Sequence, residues 1–87
     1  MNLKKYVIAE VLDRKTKKRS EEFGYRVGRE CYIKNLEVGT LMWVKYEDGR
    51  MFRTSIVEDF IECEYGIWVI TGNREYRFDD VLMLDGN

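Results

Sequence analysis

Hydrophobic and polar residues alternate in short runs along most of this chain, and glycine-containing turns separate the runs. Alternation of period two is typical of a strand with one buried face, whereas a helix places its apolar residues three or four positions apart. The runs with strand character are residues 5–12, 31–36, 40–47, 51–57, 67–71 and 75–78. The pattern therefore predicts five or six short strands and no helix of useful length.

The pair Asp48-Gly49 is the strongest local turn signal, because it lies between the alternating runs 40–47 and 51–57. A two-residue type I′ turn needs positive φ at both central residues, which Asp-Gly supplies readily. We therefore predict a tight β-hairpin whose turn is Asp48-Gly49. Tyr65-Gly66 and Gly72-Asn73 are predicted to be further turns.

The apolar phase slips after the hairpin: Phe52 and Ile56 share one parity, whereas Val57, Ile61 and Cys63 share the other. A bulge or sharp bend near Glu58-Asp59 explains such a slip, and bends of this kind curl small sheets into barrels. The predicted fold is thus an all-β, strongly bent antiparallel barrel of five to six strands, SH3-like. An OB-like barrel is the alternative, although it usually has a longer chain and a helix between strands.

Two short segments allow more than one local structure. Ser20-Glu21-Glu22 could cap a helical turn before Phe23, although Gly24 follows too soon for a longer helix. Residues 79–84 fit either a capped helical turn or a short edge strand that closes the sheet.

Composition sets limits on the class of protein. With 87 residues, 45% of them hydrophobic and 36% charged, residues 1–87 are expected to form one domain around a single core. No apolar run approaches the roughly 20 residues of a membrane-spanning helix, and no signal-peptide core follows the basic N-terminus. We therefore expect a cytoplasmic protein without membrane contact.

The absence of histidine removes the commonest general base and metal ligand. Cys31 and Cys63 match no zinc or redox spacing, so two reduced thiols in apolar surroundings are expected, with a disulfide or a reactive thiol as alternatives. We expect no metal, no cofactor and no enzymatic activity. Acidic residues that gather late in the chain favour a solvated face over a cation or acid-base site; they are Glu58, Asp59, Glu62, Glu64, Asp79, Asp80 and Asp85.

Charge is unevenly distributed, since residues 1–19 carry a net charge of +5 and residues 20–87 a net charge of −6. Five cations form a basic segment that could contact a phosphate backbone: Arg14, Lys15, Lys17, Lys18 and Arg19. The alternative is a solvated hairpin end whose lysines deter edge-to-edge pairing. Aromatic residues that would stack on bases are no nearer than Tyr6 and Phe23, which weakens the nucleic-acid interpretation.

Two tryptophans raise the possibility of a protein interface. If Met42, Val44 and Tyr46 face inward, Leu41 and Trp43 face outward and form an exposed apolar patch. The opposite phase buries Trp43, and Trp68 poses the same choice. The candidate protein-binding residues are therefore Leu41, Trp43 and Trp68.

One part of the chain resembles a pattern of small uncharacterised all-β proteins of Gram-positive bacteria and their phages: Arg53-Thr54-Ser55-Ile56-Val57, followed by Trp68-Val69-Ile70-Thr71-Gly72-Asn73-Arg74-Glu75-Tyr76. Those proteins carry a Thr-Ser-x-Val strand and then a Thr-x-Asn-x-x-Tyr hairpin. Physically the pattern is turn chemistry, with Asn73 tolerant of a left-handed conformation. The resemblance implies a phage or mobile-element protein that acts by binding a host protein, and it implies no catalytic residue.

The leading hypothesis is a non-enzymatic interaction module that binds another protein through an aromatic and charged face. One form of this hypothesis is a phage-encoded inhibitor of a host or defence enzyme. The alternative hypothesis is a nucleic-acid-binding accessory domain that uses residues 14–19.

Overall fold

The computed structural model describes residues 4–22 and 24–81, and within them the chain forms six strands and one 3-10 turn, Gly24–Arg26. The strands are β1 (Lys5–Asp13), β2 (Glu30–Lys34), β3 (Leu41–Tyr46), β4 (Met51–Cys63), β5 (Gly66–Thr71) and β6 (Arg74–Asp80). Each strand pairs antiparallel with the next, and β6 pairs with β1 to close the barrel. The small antiparallel all-β barrel predicted from the sequence is confirmed.

The inward-facing side chains of all six strands fill one core. Its largest fully buried members are Phe78, Ile8, Met42, Val11, Val44, Val57 and Val69. Aromatic rings extend the core, since Tyr46 packs on Phe52 with ring centroids 5.4 Å apart. On β3 the buried residues are Met42, Val44 and Tyr46, which settles the phase of that strand.

Strand β4 is bent by two irregularities. The predicted bulge near Glu58-Asp59 is confirmed, because the register with β5 shifts between Val57 and Asp59. A second shift, against β3, was not predicted, and it turns Ile56 outward. Beyond the first bulge Ile61 and Cys63 also face solvent, so their shared parity with Val57 does not place them in the core.

The hairpin at Asp48-Gly49 is confirmed, but its predicted type I′ turn is wrong. Only Gly49 has positive φ (93°), and its N–H donates to the Tyr46 carbonyl at 3.0 Å. Tyr46 N–H in turn donates to the Arg50 carbonyl at 2.8 Å, so three residues form the loop. This is a type I turn followed by a left-handed glycine, in which the Asp48 carboxylate accepts the Arg50 N–H at 2.9 Å.

The basic segment forms a tight turn that extends β1. Lys17 N–H donates to the Asp13 carbonyl at 2.8 Å, and Arg19 pairs with Leu12 in an antiparallel bridge. Ser20 then donates its N–H to the Val11 carbonyl at 2.8 Å, and the 3-10 turn Gly24–Arg26 follows further along the chain. Phe23, which follows the possible helical turn at residues 20–22, lies outside the described residues.

In the segment 79–84 at the C-terminal end, Asp79 and Asp80 belong to β6, whereas Val81, the last described residue, has helical backbone geometry. Residues 82–84 of that segment, and Asp85 of the acidic group, lie outside the described residues. No helix in the described ranges is both long and apolar enough to cross a bilayer.

The two cysteines occupy different environments. Both are free thiols; Cys31 is fully buried on β2, whereas Cys63 is exposed at the end of β4. The expectation of apolar surroundings is therefore wrong for Cys63. Burial raises the pKa of the Cys31 thiol from 9.0 to about 12.

We expect Cys63 to react quickly with an aromatic disulfide reagent at mildly alkaline pH, and Cys31 only after unfolding.

Because the folded-state pKa of Cys31 is raised, its stabilising contribution is complete below pH 9 and is lost as the pH rises toward 12. Urea titrations at several pH values between 9 and 12 should show that the free energy of unfolding falls less steeply with pH in Cys31→Val than in the wild type. Equal slopes for the two proteins would contradict this prediction.

Candidate functional site

Outward-facing side chains of β2, β3 and β4 form a surface on which cations alternate with apolar groups. The strand register aligns them in two rows of three, which are Lys34, Trp43, Arg53 and Tyr32, Lys45, Met51. Directly opposite residues on one face have Cβ atoms about 5 Å apart, so each apolar side chain has cations beside it. These six residues are called the β2–β4 face below.

Trp43 is the central residue of the β2–β4 face. Its side chain is 36% exposed and Met51 is 44% exposed, and both line one shallow depression together with Lys34 and Asn35. Large aromatic groups in this position dominate the energetics of protein interfaces. The indole therefore offers apolar surface that a binding partner can cover.

An aliphatic strip continues the β2–β4 face along the same two strands. Leu41 is half-buried on the outer side of β3, and its register partner Ile56 is 52% exposed. The outward bulge in β4 is the reason that Ile56 joins this surface. Leu41 and Trp43 thus lie together, as their shared parity predicts.

The cations of the β2–β4 face have no acidic partner in the part of the chain that the structure describes. Lys34, Lys45 and Arg53 make no ion pair with any residue in the described ranges, although ion pairs elsewhere on the barrel are frequent. Lys5, for example, contacts both Glu30 and Glu47, at 3.3 and 2.9 Å. The result is a concentration of uncompensated positive charge around an exposed indole.

Trp68 lies on another part of the barrel. Its register partner on β4 is Ile61, eight residues beyond the partner of Trp43, or about 26 Å along the strand. The indole Nε1 donates to the Glu75 carboxylate at 3.0 Å, and the side chain is half-buried. The structure therefore does not combine Trp68 with Leu41 and Trp43 in one site.

The basic segment is partly committed to contacts within the protein. Arg14 donates to Glu58 at 2.8 Å, and Lys17 pairs with the buried carboxylate of Glu75. Lys15, Lys18 and Arg19 are exposed and make no ion pair within residues 4–22 and 24–81. Three of the five cations of the basic segment therefore have no acidic partner among the described residues.

Acidic side chains of the late cluster are dispersed among local partners. Asp80 contacts Lys4 at 3.1 Å, and Asp59 accepts the N–H of Phe60 at 2.9 Å. No group of three or more potential metal-ligating side chains occurs among the described residues.

Sequence reasoning missed four members of the β2–β4 face, namely Tyr32, Lys34, Lys45 and Arg53, and it did not connect Met51 with Trp43. The signal was a spacing of two between an apolar residue and a cation, repeated in Tyr32-Ile33-Lys34, Trp43-Val44-Lys45 and Met51-Phe52-Arg53. Residues two apart on a strand share a face. Recognising that the three pairs are neighbours requires the register.

Comparison with protein-family models, with curated proteins and with solved structures finds no match to this chain.

Proposed function

We propose that this protein is a non-enzymatic binding module. Its β2–β4 face binds an acidic surface of a partner protein. The observation that supports this proposal is a group of three cations around the exposed Trp43, namely Lys34, Lys45 and Arg53, which form no ion pair with any described residue. Complementary charge speeds the encounter of two proteins, whereas desolvated aromatic anchors hold them together. The face carries both.

The aliphatic part of the surface favours a protein over a nucleic acid. Met51, Ile56 and half-buried Leu41 offer methylene and methyl groups, which bury well against another protein but do not stack on bases. The chain as a whole has a net charge of −1, which disfavours general attraction to a polyanion. A protein with a local acidic patch fits both properties.

The resemblance of residues 53–57 and 68–76 to small proteins of Gram-positive bacteria and their phages suggests which proteins would carry that patch. Small domains of phages and mobile elements often act by binding a host protein. We therefore propose a host or defence enzyme as the partner class, with inhibition by docking as the mode of action.

Trp43→Ala should weaken binding of the partner by about 2 kcal/mol, or roughly thirtyfold, because it removes the aromatic anchor. The matched control is Ile61→Ala, which shortens a more exposed apolar side chain on a distant part of the sheet. Partner recovered from host lysate with the wild-type chain would be purified and its Kd measured with all three proteins by calorimetry.

The lysate would be divided into nuclease-treated and untreated samples. Equal recovery from the two samples is expected for a direct protein contact. If recovery disappears after nuclease treatment, or if Ile61→Ala weakens binding as much as Trp43→Ala, the proposed docking surface is wrong.

A further inference from the structure

A second feature of the barrel is a polar pocket of about 310 Å³ beside the β5–β6 turn. Three arginines from separate elements line it: Arg26 from the 3-10 turn, Arg53 from β4 and Arg74 from the start of β6. Its volume is at the lower end of the roughly 300–1,000 Å³ typical of small-molecule sites. The lining therefore suits a small, negatively charged ligand.

The walls of this pocket are fixed by the docking of the β5–β6 turn onto β4. Asn73 N–H donates to the Ser55 hydroxyl at 3.1 Å, and Gly72 N–H donates to the Ile56 carbonyl at 3.1 Å. Thr71 closes the turn, because its hydroxyl donates to the Arg74 carbonyl at 2.9 Å and accepts the Arg74 N–H. Arg74 is thereby held at a defined place on the pocket wall.

Residues of the Thr-Ser-x-Val and Thr-x-Asn-x-x-Tyr pattern are prominent in the lining. Thr54, Ser55, Asn73 and Tyr76 all line the pocket, although more than 20 positions separate the first from the last along the chain. Asn73 does not adopt the left-handed conformation that its role in the turn suggested. The pattern thus describes a pocket wall as well as a hairpin.

The arginines are oriented by their surroundings. The Arg26 guanidinium stacks on the Phe52 ring, with its central carbon 3.6 Å from the ring centroid. Arg74 contacts Glu22 at 3.2 Å, and Glu22 is the sole acidic residue among the described residues of the lining. Arg53 makes no ion pair among the described residues, so the three guanidinium groups exceed the one carboxylate by two charges.

Neutral donors complete the lining. The Ser55 oxygen accepts from Asn73, and its own proton remains to be donated. Burial raises the pKa of Tyr76, so the phenol keeps its proton at neutral pH. Guanidinium groups with adjacent hydroxyl donors match the several acceptor oxygens of a phosphate better than the two of a carboxylate.

We propose that this pocket binds the phosphate group of a small phosphate monoester, with Arg26, Arg53 and Arg74 as its cationic contacts. A phosphate monoester carries between one and two negative charges near neutral pH, which matches the excess of two positive charges. Glu22 competes with the ligand for Arg74. The proposal is independent of the partner-binding function, although Arg53 belongs both to the pocket and to the β2–β4 face.

The test is a titration of isotope-labelled protein with inorganic phosphate and, separately, with adenosine monophosphate, followed by backbone amide NMR shifts. We expect saturable shifts centred on Ser55, Asn73 and Arg74 with both probes. Arg53→Gln should weaken binding about tenfold, because one charge-assisted contact is lost. Glu22→Gln should strengthen binding several-fold, because it removes the competing carboxylate.

Lys15→Gln is the matched control, since it removes one exposed cation outside the pocket. Phosphate affinity should be unchanged in Lys15→Gln and in Trp43→Ala, which separates this proposal from the partner-binding one. The proposal is wrong if neither probe saturates, if Lys15→Gln weakens binding as much as Arg53→Gln, or if Glu22→Gln lowers the affinity.

Discussion

Gly66→Ala should destabilise the barrel by at least about 3 kcal/mol, at the upper end of overpacking costs. Gly66 begins β5 and is buried, and it lies opposite both Cys63 on β4 and Asp79 on β6. A Cβ atom built at this position collides with the backbone carbonyl oxygen of Phe78. Backbone cannot move aside as a flexible side chain can, so β5 and β6 would have to separate at this end.

Urea denaturation followed by tryptophan fluorescence measures this effect. Gly24→Ala is the matched control, because a Cβ at Gly24 meets no atom within 4 Å and its φ is not in the left-handed region. The control should differ from wild type by less than about 0.5 kcal/mol. A Gly66→Ala protein as stable as the control would show that the β5–β6 contact is looser than described.

Phe78→Ala should have a comparable effect, a loss of about 3–5 kcal/mol, through the cavity it leaves. Phe78 has no exposed surface, and it lies on β6 between Ile8 of β1 and Ile67 of β5. Its ring centroid is 6.1 Å from that of Tyr6 and 6.0 Å from that of Tyr76. The substitution therefore weakens the seam at which the barrel closes.

The same denaturation assay applies, with Phe78→Leu as a second variant. Leucine refills most of the volume, so Phe78→Leu should recover more than half of the loss. Ile61→Ala, which is exposed, should change the unfolding free energy by less than about 0.5 kcal/mol. Equal stabilities for Phe78→Ala and Ile61→Ala would contradict the placement of the core.

Local signals in the sequence located most of the elements of this fold. Alternation in residues 40–57 predicted the β3–β4 hairpin, and the slip in apolar phase predicted the bulge at Glu58-Asp59. The turn type at Asp48-Gly49 could not be predicted from the sequence because Asp48 can take either sign of φ. In this fold the Asp48 carboxylate accepts a hydrogen bond from the Arg50 N–H, which stabilises the observed turn.

The candidate site was only partly predictable, since a face is a property of neighbouring strands. The exposure of Trp43 follows from the phase of β3 once Met42 and Val44 are known to be buried. Two of the three cations beside it, Lys34 and Arg53, lie on β2 and β4, and one step of register would place other side chains there. The unpredicted bulge that exposes Ile56 is equally a consequence of pairing.

Trp68 illustrates the opposite case, in which the residue type suggested more than its surroundings support. Its indole N–H donates to the Glu75 carboxylate, and Lys17 of the basic segment forms an ion pair with the same carboxylate. A buried carboxylate with two donors holds the 14–19 turn against the barrel. Trp68 and Lys17 therefore both contribute to the fold through their contacts with Glu75.

The most direct test of the account compares two charge-reversal variants with the same change in net charge. Lys34→Glu/Lys45→Glu reverses the β2–β4 face, and Lys15→Glu/Lys18→Glu reverses exposed lysines of the basic segment. Association rates with the purified partner would be measured as a function of salt. Reversal on the face should slow association at least tenfold at low salt and flatten its salt dependence, whereas reversal on the basic segment should leave both nearly unchanged. If only the basic-segment variant slows association, the β2–β4 face is not the docking surface.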